Sequence, residues 1–576
     1  MLHLAEFLGI PCEVLALTSV AEHAAYLAKI VPTSWSGLII SPQLMKELVT
    51  ENGIASSLIS FLLSRFSHLI VHGLRPGDFD NKLVAALSRG RFQSVQNIDT
   101  KNRVYDVAAE SRDICGAFSG MSFGPVNPRN DCVIHLAASD PTVRQLISIG
   151  GHPFMATVRS QGAEVLFVAS EDVLDLNDKC PTTSLAEYFS RLLPHAMALR
   201  YAAGANCWRP SEAHASIIID DPLLRNNYGF LNFKSLLSLT KQHDFHTTIA
   251  FIPHNFRRSA PRIIRMFREN PSRLSICYHG NDHTEAEFAS TDWALLHTLF
   301  HIAGQRMDAH YKMTGLPCDK VMVFPQEQFS EEALTVIKSH NFYGVVNSAA
   351  HPPHPTVWPT IGEVAQPAVR RYGGFPIFSR TLIHHLRSED IAFNLFFGRP
   401  VLLVDHHEVF RHPERVIEIA TRINSVEPQI RWSNLATALS GSTLKRTAAD
   451  GTYHVRAYSH TVRASNDTDS AGRFSIEWGN SGDGPSIEQV LMDGAAYPSF
   501  ETKGSAVRLS VELAPNSSAT FSLVYPSAHA PVRSLGLRKN VQALLRRRLS
   551  EARDNYLSKN QSLLTAVQAL RRVAGL

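Results

Sequence analysis

The sequence predicts a multidomain α/β protein: an N-terminal α/β domain, a distorted (β/α) barrel, a β-sandwich and a basic helical tail. Three observations support this prediction. The chain of 576 residues is too long for one hydrophobic core. Strand-like and helix-like stretches alternate as far as about residue 440. Short alternating segments punctuated by glycine then follow, which is typical of a sandwich. The predicted domains are 1–205, 206–440, 441–527 and 528–576.

Composition restricts the class of protein. The chain is 44% hydrophobic and 19% charged, as in ordinary globular proteins, and its net charge of +4 gives no reason to expect a nucleic-acid partner. No apolar run approaches the roughly 20 residues of a transmembrane helix. The first residues lack the features of a signal peptide, so a cytoplasmic location is expected. The seven cysteines are scattered singly, which indicates reduced thiols and not a cysteine-held zinc site.

The N-terminal domain is predicted from short apolar runs with helical-period segments between them. Such a pattern is typical of a parallel α/β sheet, with a faint resemblance to flavodoxin-like (Rossmann-like) or amidotransferase-like domains. Neither a dinucleotide-binding nor a P-loop glycine motif follows a strand here, so a scaffold or partner role is expected. The candidate strands are 37–41, 68–73, 132–135 and 164–168, and a helix over 186–203 closes the domain.

The barrel is predicted from a strand-then-helix rhythm between about 210 and 440. One clear helix runs from Pro413 to Val426, with its apolar residues on one face. In such barrels functional residues gather at the carboxyl ends of the strands, where Asp220, His279 and His406 are expected. The candidate strands are 215–219, 247–252, 274–278, 321–324, 342–346 and 401–404.

The remaining segments predict a small antiparallel β-sandwich and a helix. The strand candidates are 453–458, 473–478, 507–513 and 520–525. The tail from Leu535 has helical periodicity, a leucine-rich stripe and many arginines. Peripheral contact with an anionic membrane is one use of such a helix, but docking on its own protein with a solvated basic face is the preferred interpretation.

Two motifs carry the chemistry. Asp220 and Asp221 end a β-branched run, and His279 and His283 follow a later strand at a spacing that brings both imidazoles to one face of a helical turn. One carboxylate with two imidazoles forms the open three-ligand site of catalytic zinc enzymes. Taken separately, the aspartates suit a turn that caps a strand, and the histidines suit a structural pair. Together, at successive strand exits, they predict a divalent metal site, with Zn²⁺ as the expected ion.

These motifs resemble those of the polysaccharide deacetylase superfamily, the NodB-homology fold of the family 4 carbohydrate esterases. The resemblance covers residues 210–440 and implies a barrel of the NodB type. It implies that Asp220 is the general base and that Asp221, His279 and His283 bind the metal. It also implies a histidine general acid within Asp405-His406-His407, where His406 is slightly preferred and His407 stays open.

The chain departs from the family pattern in two places. Asp-Asp-Pro replaces the usual Asp-Asp-Gly. The third motif, which in the family carries an arginine that orients the base, is here Val323-Phe324-Pro325-Gln326-Glu327 and contains no arginine. Gln326 or Asn281 is the expected substitute for that arginine. Asn281, Pro325 and Gln326 are also candidates for contacts with the substrate or with the oxyanion.

The predicted function is metal-dependent removal of N-acetyl groups from an amino sugar in an oligosaccharide or polysaccharide. The bound metal would polarise the acetyl carbonyl and activate water, and a histidine would protonate the leaving amine. One alternative is a catalytically weak carbohydrate-binding or assembly protein, which the missing arginine and the added domains motivate. The other is a metal-dependent amide or ester hydrolase that acts on a non-sugar substrate.

Overall fold

The computed structural model describes residues 1–14, 37–40, 49–50, 53–54, 56–99, 101, 104–138, 140–284, 286–479, 487–504, 506–526 and 532–559. The chain divides into two compact units. One unit comprises 1–178, 184–208 and 388–396, and the other comprises the remaining residues from 179 onward. The candidate metal ligands lie in the second unit, whereas the helix Ser388–Phe397 is almost wholly part of the first.

The first unit contains a seven-stranded sheet, and this sheet is mixed. Gly37–Ile40, His68–Val71 and Ala163–Val168 pair in parallel, whereas the remaining strands pair antiparallel. The prediction of a parallel sheet is therefore wrong for most of it. The predicted strand at Cys132 instead joins Phe92–Asn97 in a separate ribbon. In spatial order the strands are Gly37–Ile40, His68–Val71, Ala163–Val168, His152–Ser160, Val143–Ile149, Tyr105–Val107 and Ser122–Phe123.

Two tight turns explain the antiparallel half of this sheet. Gly150 and Gly151 have φ of +58° and +82°, and Gln161 and Gly162 have φ of +51° and +99°. Two successive left-handed residues form the hairpin turn that joins antiparallel neighbours. A parallel arrangement would need a crossover instead of a two-residue turn. These turn residues are present in the sequence, and they determine the direction of strand pairing more strongly than the apolar runs do.

Helices and short strands complete the first unit. Phe189–Ala203, close to the predicted 186–203, is almost entirely buried. The other helices are Leu2–Phe7, Ser56–Arg65, Asp78–Leu87 and Arg112–Cys115, and the short strand pair is Val49–Thr50 with Gly53–Ile54.

The second unit contains a closed barrel of seven parallel strands, as the predicted (β/α) architecture requires. Closure comes from the first strand, which pairs with both the second and the last. Its residues Ile217, Ile218 and Ile219 are fully buried, as expected for a strand covered on both faces. In order the strands are His214–Asp220, Thr247–Phe251, Leu274–His279, Asp319–Val323, Gly344–Asn347, Ile377–Leu382 and Val401–Asp405.

One barrel strand, Ile377–Leu382, was missed by the sequence prediction. It reads Ile-Phe-Ser-Arg-Thr-Leu, and the charged Arg380 interrupts an apolar run that would otherwise be recognisable. Arginine is rarely buried unless its charge is paired. The strand therefore depends on a partner that lies elsewhere in the chain.

Helices and short segments connect the barrel strands. Pro413–Val426 has the predicted bounds and buries Val416, Ile419, Ala420 and Ile423. A hairpin, Asn227–Tyr228 with Leu231–Asn232, follows the first barrel strand. The short strand Arg431–Trp432 pairs in parallel with that same barrel strand. The remaining helices are Phe233–Gln242, Pro261–Glu269, Trp293–Thr314, Glu331–Val336, Ile361–Val364 and Leu435–Gly441.

Two further sheets follow the barrel, and their apolar residues form one core. Trp478 and Phe521 lie in this core with exposed fractions of 1% and 0%. The six-stranded sheet contains Arg209–Pro210, Thr443–Thr447, Tyr453–Ala457, Gly472–Trp478, Ala506–Leu513 and Phe500–Lys503. The four-stranded sheet contains Thr461–Asn466, Ser517–Val524, Gln489–Met492 and Ala495–Ala496.

The helix Gly536–Asn555 is the described part of the predicted tail; Leu563, Leu564, Val567, Leu570, Arg571 and Arg572 lie outside the described residues. Its buried residues are Ala543, Arg547 and Asp554, whereas Leu545 and Leu549 are exposed. The helix therefore packs through a largely polar face and not through its leucine stripe. Within the described residues, none of the helices combines the length and hydropathy that crossing a bilayer requires.

Candidate metal centre

The two aspartates lie where the first barrel strand ends. Asp220 is the last strand residue and is 3% exposed. Consecutive strand residues point to opposite faces, but Asp221 leaves the strand with φ of +82°. Aspartate tolerates this left-handed conformation better than most side chains. The turn at Asp221 therefore lets its carboxylate approach the two histidines of the third strand.

Asp221, His279 and His283 form a compact ligand set. One ligand atom from each lies within 4.8 Å of the other two. The Oδ1 atom of Asp221 is 3.5 Å from Nε2 of His279 and 3.3 Å from Nε2 of His283. This oxygen is buried and has no hydrogen-bond partner among the described residues. A carboxylate oxygen and two imidazole nitrogens around an orphaned polar atom suit a divalent cation.

The two histidine rings differ in protonation. Nδ1 of His279 lies 3.0 Å from the carbonyl oxygen of Val323, which can only accept, so Nδ1 carries a proton and Nε2 is the nitrogen nearest Asp221. Burial would lower the pKa of His279, but the charge of Asp220 and the contact with Asp221 raise it above its ordinary value. Burial, helped by the charges of His279 and Arg547, lowers the pKa of His283 to about 4 despite the opposing charge of Asp221. Its ring is therefore neutral near pH 7, the form that ligates metal.

A buried carboxylate outside the predicted motifs holds the loop between the histidines. Glu287 accepts backbone N–H bonds from Asn281, Asp282 and His283 at 2.9, 3.1 and 3.0 Å. Burial raises the pKa of Glu287 to about 7, against the lowering effect of these donors. His283 itself has φ of +53°, so the loop needs such external support.

Charged partners fix the same loop from the other side. Nη1 of Arg306 donates to Oδ1 of Asp282 at 2.6 Å, and Nδ1 of His254 lies 2.9 Å from that oxygen. The Arg306 side chain also donates to Oδ1 of Asn281 at 2.6 Å. His254 therefore supports the loop through Asp282.

Replacing Glu287 with alanine is expected to weaken metal affinity about 10- to 100-fold, because three N–H groups lose the acceptor that orients His283. Glu287→Gln, which keeps one carbonyl acceptor, is expected to have a metal affinity between those of the wild type and Glu287→Ala. Affinity is measured by competition with a chromophoric chelator. Glu269→Ala, a change at an exposed glutamate, serves as the control. Wild-type affinity in Glu287→Ala would show that the loop holds its shape without this clamp.

The partner of Asp220 is Arg380, and the sequence prediction of Gln326 or Asn281 for this role is wrong. The Nη1 and Nη2 atoms of Arg380 donate to the two carboxylate oxygens of Asp220, each at 2.9 Å. Burial would raise the pKa of Asp220, but the charge of Arg380, with smaller effects of His279 and His406, holds it below its ordinary value. Asp220 is therefore an ionised carboxylate of fixed orientation beside the metal ligands.

The two histidines after the last strand have different surroundings. His406 is exposed, and its charge contributes to lowering the pKa of both Asp220 and Asp221. His407 is 2% exposed, and its ring lies edge-on to Tyr228 at 5.5 Å between centroids. Its Nε2 is 3.8 Å from Oδ1 of Asp554 on the C-terminal helix.

Gly229 accommodates the buried ring of His407. A Cβ atom at this glycine, which has φ of +55°, would lie 2.2 Å from Nδ1 of His407. Only glycine leaves room for the ring at this position. The packing keeps His407 away from solvent, whereas His406 is exposed.

The three residues predicted to contact the substrate or the oxyanion differ in exposure. Asn281 is fully buried, with its amide bound to Arg306 and Asp282, so it is a loop-forming residue and not a substrate contact. Pro325 is buried at the start of the turn that follows the strand Asp319–Val323. Gln326 in that turn is exposed, with φ of +55°. Of the three candidates, Gln326 is the one whose side chain is accessible.

No protein-family model matches the chain, and no curated protein matches it significantly. A family 4 carbohydrate esterase from Streptomyces lividans, solved in complex with acetate, is 12% identical, with coverage of 40% of this chain and 96% of that chain and a TM-score of 0.25. The catalytic domain of a peptidoglycan N-acetylglucosamine deacetylase from Eubacterium rectale is 12% identical, with coverages of 40% and 91% and a TM-score of 0.24.

A third similar structure catalyses different chemistry. An exo-type maltose-forming amylase from a Pyrococcus species is 11% identical, with coverages of 39% and 48% and a TM-score of 0.27. Family 4 carbohydrate esterases stand among the solved structures similar to this chain.

Proposed function

We propose that this protein is a metal-dependent hydrolase that removes the N-acetyl group from an amino sugar. The observation that carries the proposal is the ligand set of Asp221, His279 and His283, next to a buried Asp220 that Arg380 keeps ionised. A metal site with an adjacent fixed carboxylate suits hydrolysis of an unactivated amide. The residues offer both a place for a divalent cation and a base for water.

Each residue has a role in the proposed reaction. When bound at Asp221, His279 and His283, a divalent cation, which we propose to be Zn²⁺, supplies a Lewis acid for the acyl carbonyl and for water. Asp220 accepts the proton of the attacking water, and Arg380 orients that carboxylate. His406, exposed at the exit of the last strand, donates a proton to the leaving amine. Gln326 is proposed to contact the substrate from the turn beside His279.

The missing motif arginine and the added domains motivate the alternative of a catalytically weak binding protein. Because Arg380 pairs with Asp220, the first of these reasons is weakened, whereas the added domains keep this alternative open. A non-sugar amide or ester remains the alternative substrate class, and a substrate panel separates it from the amino sugar.

Acetate release from N-acetylglucosamine oligomers tests the proposal. Activity is expected to disappear with a chelator and to return on addition of Zn²⁺. Elemental analysis is expected to find one metal per chain, lost in the double variant His279→Ala, His283→Ala and kept in His412→Ala, a surface histidine that is 55% exposed. A folded, metal-loaded protein that releases acyl groups from no sugar, amide or ester would refute the proposal.

A further inference from the structure

The C-terminal helix Gly536–Asn555 lies over the mouth of the barrel and is anchored there by polar contacts. Arg258 binds both carboxylate oxygens of Glu551, with Nη2 to Oε2 at 2.7 Å. The Tyr228 hydroxyl donates to Oδ2 of Asp554 at 2.7 Å, and the N–H of Gly229 donates to Oδ1 of Asn555 at 2.9 Å. Just beyond the helix, Arg411 donates to the carbonyl of Ser558.

These anchors belong to the segments that follow different barrel strands. Tyr228 and Gly229 follow the first strand, Arg258 the second and Arg411 the last. Arg547 of the helix contacts His283 after the third. The helix therefore spans the exits of the first, third and last strands, which carry the candidate site. It forms part of the wall around the candidate metal ligands.

Arg547 is the residue of this helix that lies against the metal centre. It is 6% exposed, and its Nη2 donates to the carbonyl oxygen of His283 at 3.2 Å. The same nitrogen is 3.4 Å from Nδ1 of the His283 ring, which is longer than an ordinary hydrogen bond. Its Nε is buried and has no hydrogen-bond partner in the described part of the chain.

Arg547 is buried and has no carboxylate partner among the described residues, whereas Arg411 at the mouth, which has none either, is exposed. Arg380 is paired with Asp220, Arg258 with Glu551 and Arg553 with Asp554. Among the described residues, Arg547 has no carboxylate within ion-pair distance, and its close contacts are to His283 alone. A buried guanidinium without a counter-ion is unfavourable unless another group supplies the negative charge.

We infer that Arg547 forms an anion subsite beside the metal centre and binds an oxyanion group, a phosphate or a carboxylate, carried by the acylated substrate. The planar fork of a guanidinium matches two oxygens of such a group. This inference rests on the proposed function for the identity of the acyl group, but the anion subsite itself does not depend on turnover. It places the substrate among acidic acylated amino sugars.

Phosphate binding tests the subsite without activity or metal. In metal-free protein with chelator present, the Kd for inorganic phosphate is measured by calorimetry. Arg547→Met is expected to raise this Kd about 10- to 100-fold, as for the loss of a hydrogen bond to a charged group. Arg548→Met, a change at an exposed neighbour, is expected to leave it unchanged. Equal phosphate affinity in Arg547→Met and wild type, or no phosphate binding by the wild type, would overturn the inference.

Thermal stability separates ligand binding from a structural role. Without ligand, Arg547→Met is expected to keep or raise the Tm, because it removes an uncompensated buried charge and retains most of the aliphatic stem. A lower Tm for Arg547→Met than for Arg548→Met would assign Arg547 to helix docking instead.

Matched substrates distinguish the two sources of the oxyanion. N-acetylglucosamine 6-phosphate and N-acetylmuramic acid, each compared with N-acetylglucosamine, represent phosphate and carboxylate. The anionic substrate that fits is expected to have the lower KM in the wild type, and Arg547→Met is expected to remove this preference by raising the KM for that substrate. An equal fall in kcat on all three would assign Arg547 to the reaction itself and overturn the inference. If no substrate is hydrolysed, the proposed function fails, and the phosphate titration still decides the subsite.

Discussion

Asp220→Asn is expected to reduce hydrolysis about 10²- to 10⁴-fold while one metal ion per chain is retained. Asparagine preserves the shape of the side chain and an oxygen for Arg380, but it cannot accept a proton from water. The metal ligands are the neighbouring Asp221 and the two histidines, so elemental analysis should not distinguish the variant from wild type. Turnover is followed by acetate release at saturating substrate.

The control for this prediction is Asp244→Asn, a change at an exposed aspartate whose side chain is 76% accessible. It should hydrolyse substrate at the wild-type rate. If Asp220→Asn retained more than about a tenth of wild-type kcat at full metal occupancy, Asp220 would not be the general base.

Arg380→Met is expected to lower the free energy of unfolding by about 3–5 kcal/mol, because it leaves the buried carboxylate of Asp220 without its counter-charge. Both side chains are almost fully buried, at 3% and 4% exposure, so solvent cannot replace the lost partner. The measurement is chemical denaturation of metal-free protein at pH 7. Arg371→Met, which breaks an ion pair whose side chains are 32% and 28% exposed, should cost at most about 1 kcal/mol.

A double-mutant cycle decides whether this cost comes from the pair. In the Asp220→Asn background, Arg380→Met should cost much less, because the buried carboxylate is no longer charged. An equal cost in both backgrounds would assign the effect to the packing of the Arg380 stem in the barrel wall.

The sequence was sufficient for six of the seven barrel strands and for the candidate ligand set, and the reason lies in their local nature. The buried strands are continuous apolar runs, as at Ile217–Ile219, and their carboxyl ends meet at one edge of a closed parallel barrel. Residues at the carboxyl ends of such strands, including Asp220, His279 and His406, therefore come together once the strands are recognised. The sheet of the first unit differs from the parallel prediction because two-residue turns, and not crossovers, join three of its strands in antiparallel order.

The tertiary structure alone decided which side chains support the site. Arg380 and Asp220 are 160 residues apart in the sequence. The strand that carries Arg380 is hard to recognise because this charged residue interrupts its apolar run. Asp554 reaches Tyr228 across 326 residues, and the same helix places Arg547 against His283. Glu287 lies four residues from His283, but nothing in the sequence marks it as an acceptor of three backbone N–H groups.

The sequence by itself therefore predicted the candidate metal ligands, the proposed base and the strand ends at which they lie. The closed barrel and its C-terminal helix decided how Asp220 is held ionised, which of His406 and His407 is exposed and which buried arginine has no carboxylate partner among the described residues. The physical reason is that strand runs and turn motifs are encoded in neighbouring residues, whereas the pairing of buried charges depends on which distant segments the closed barrel brings into contact.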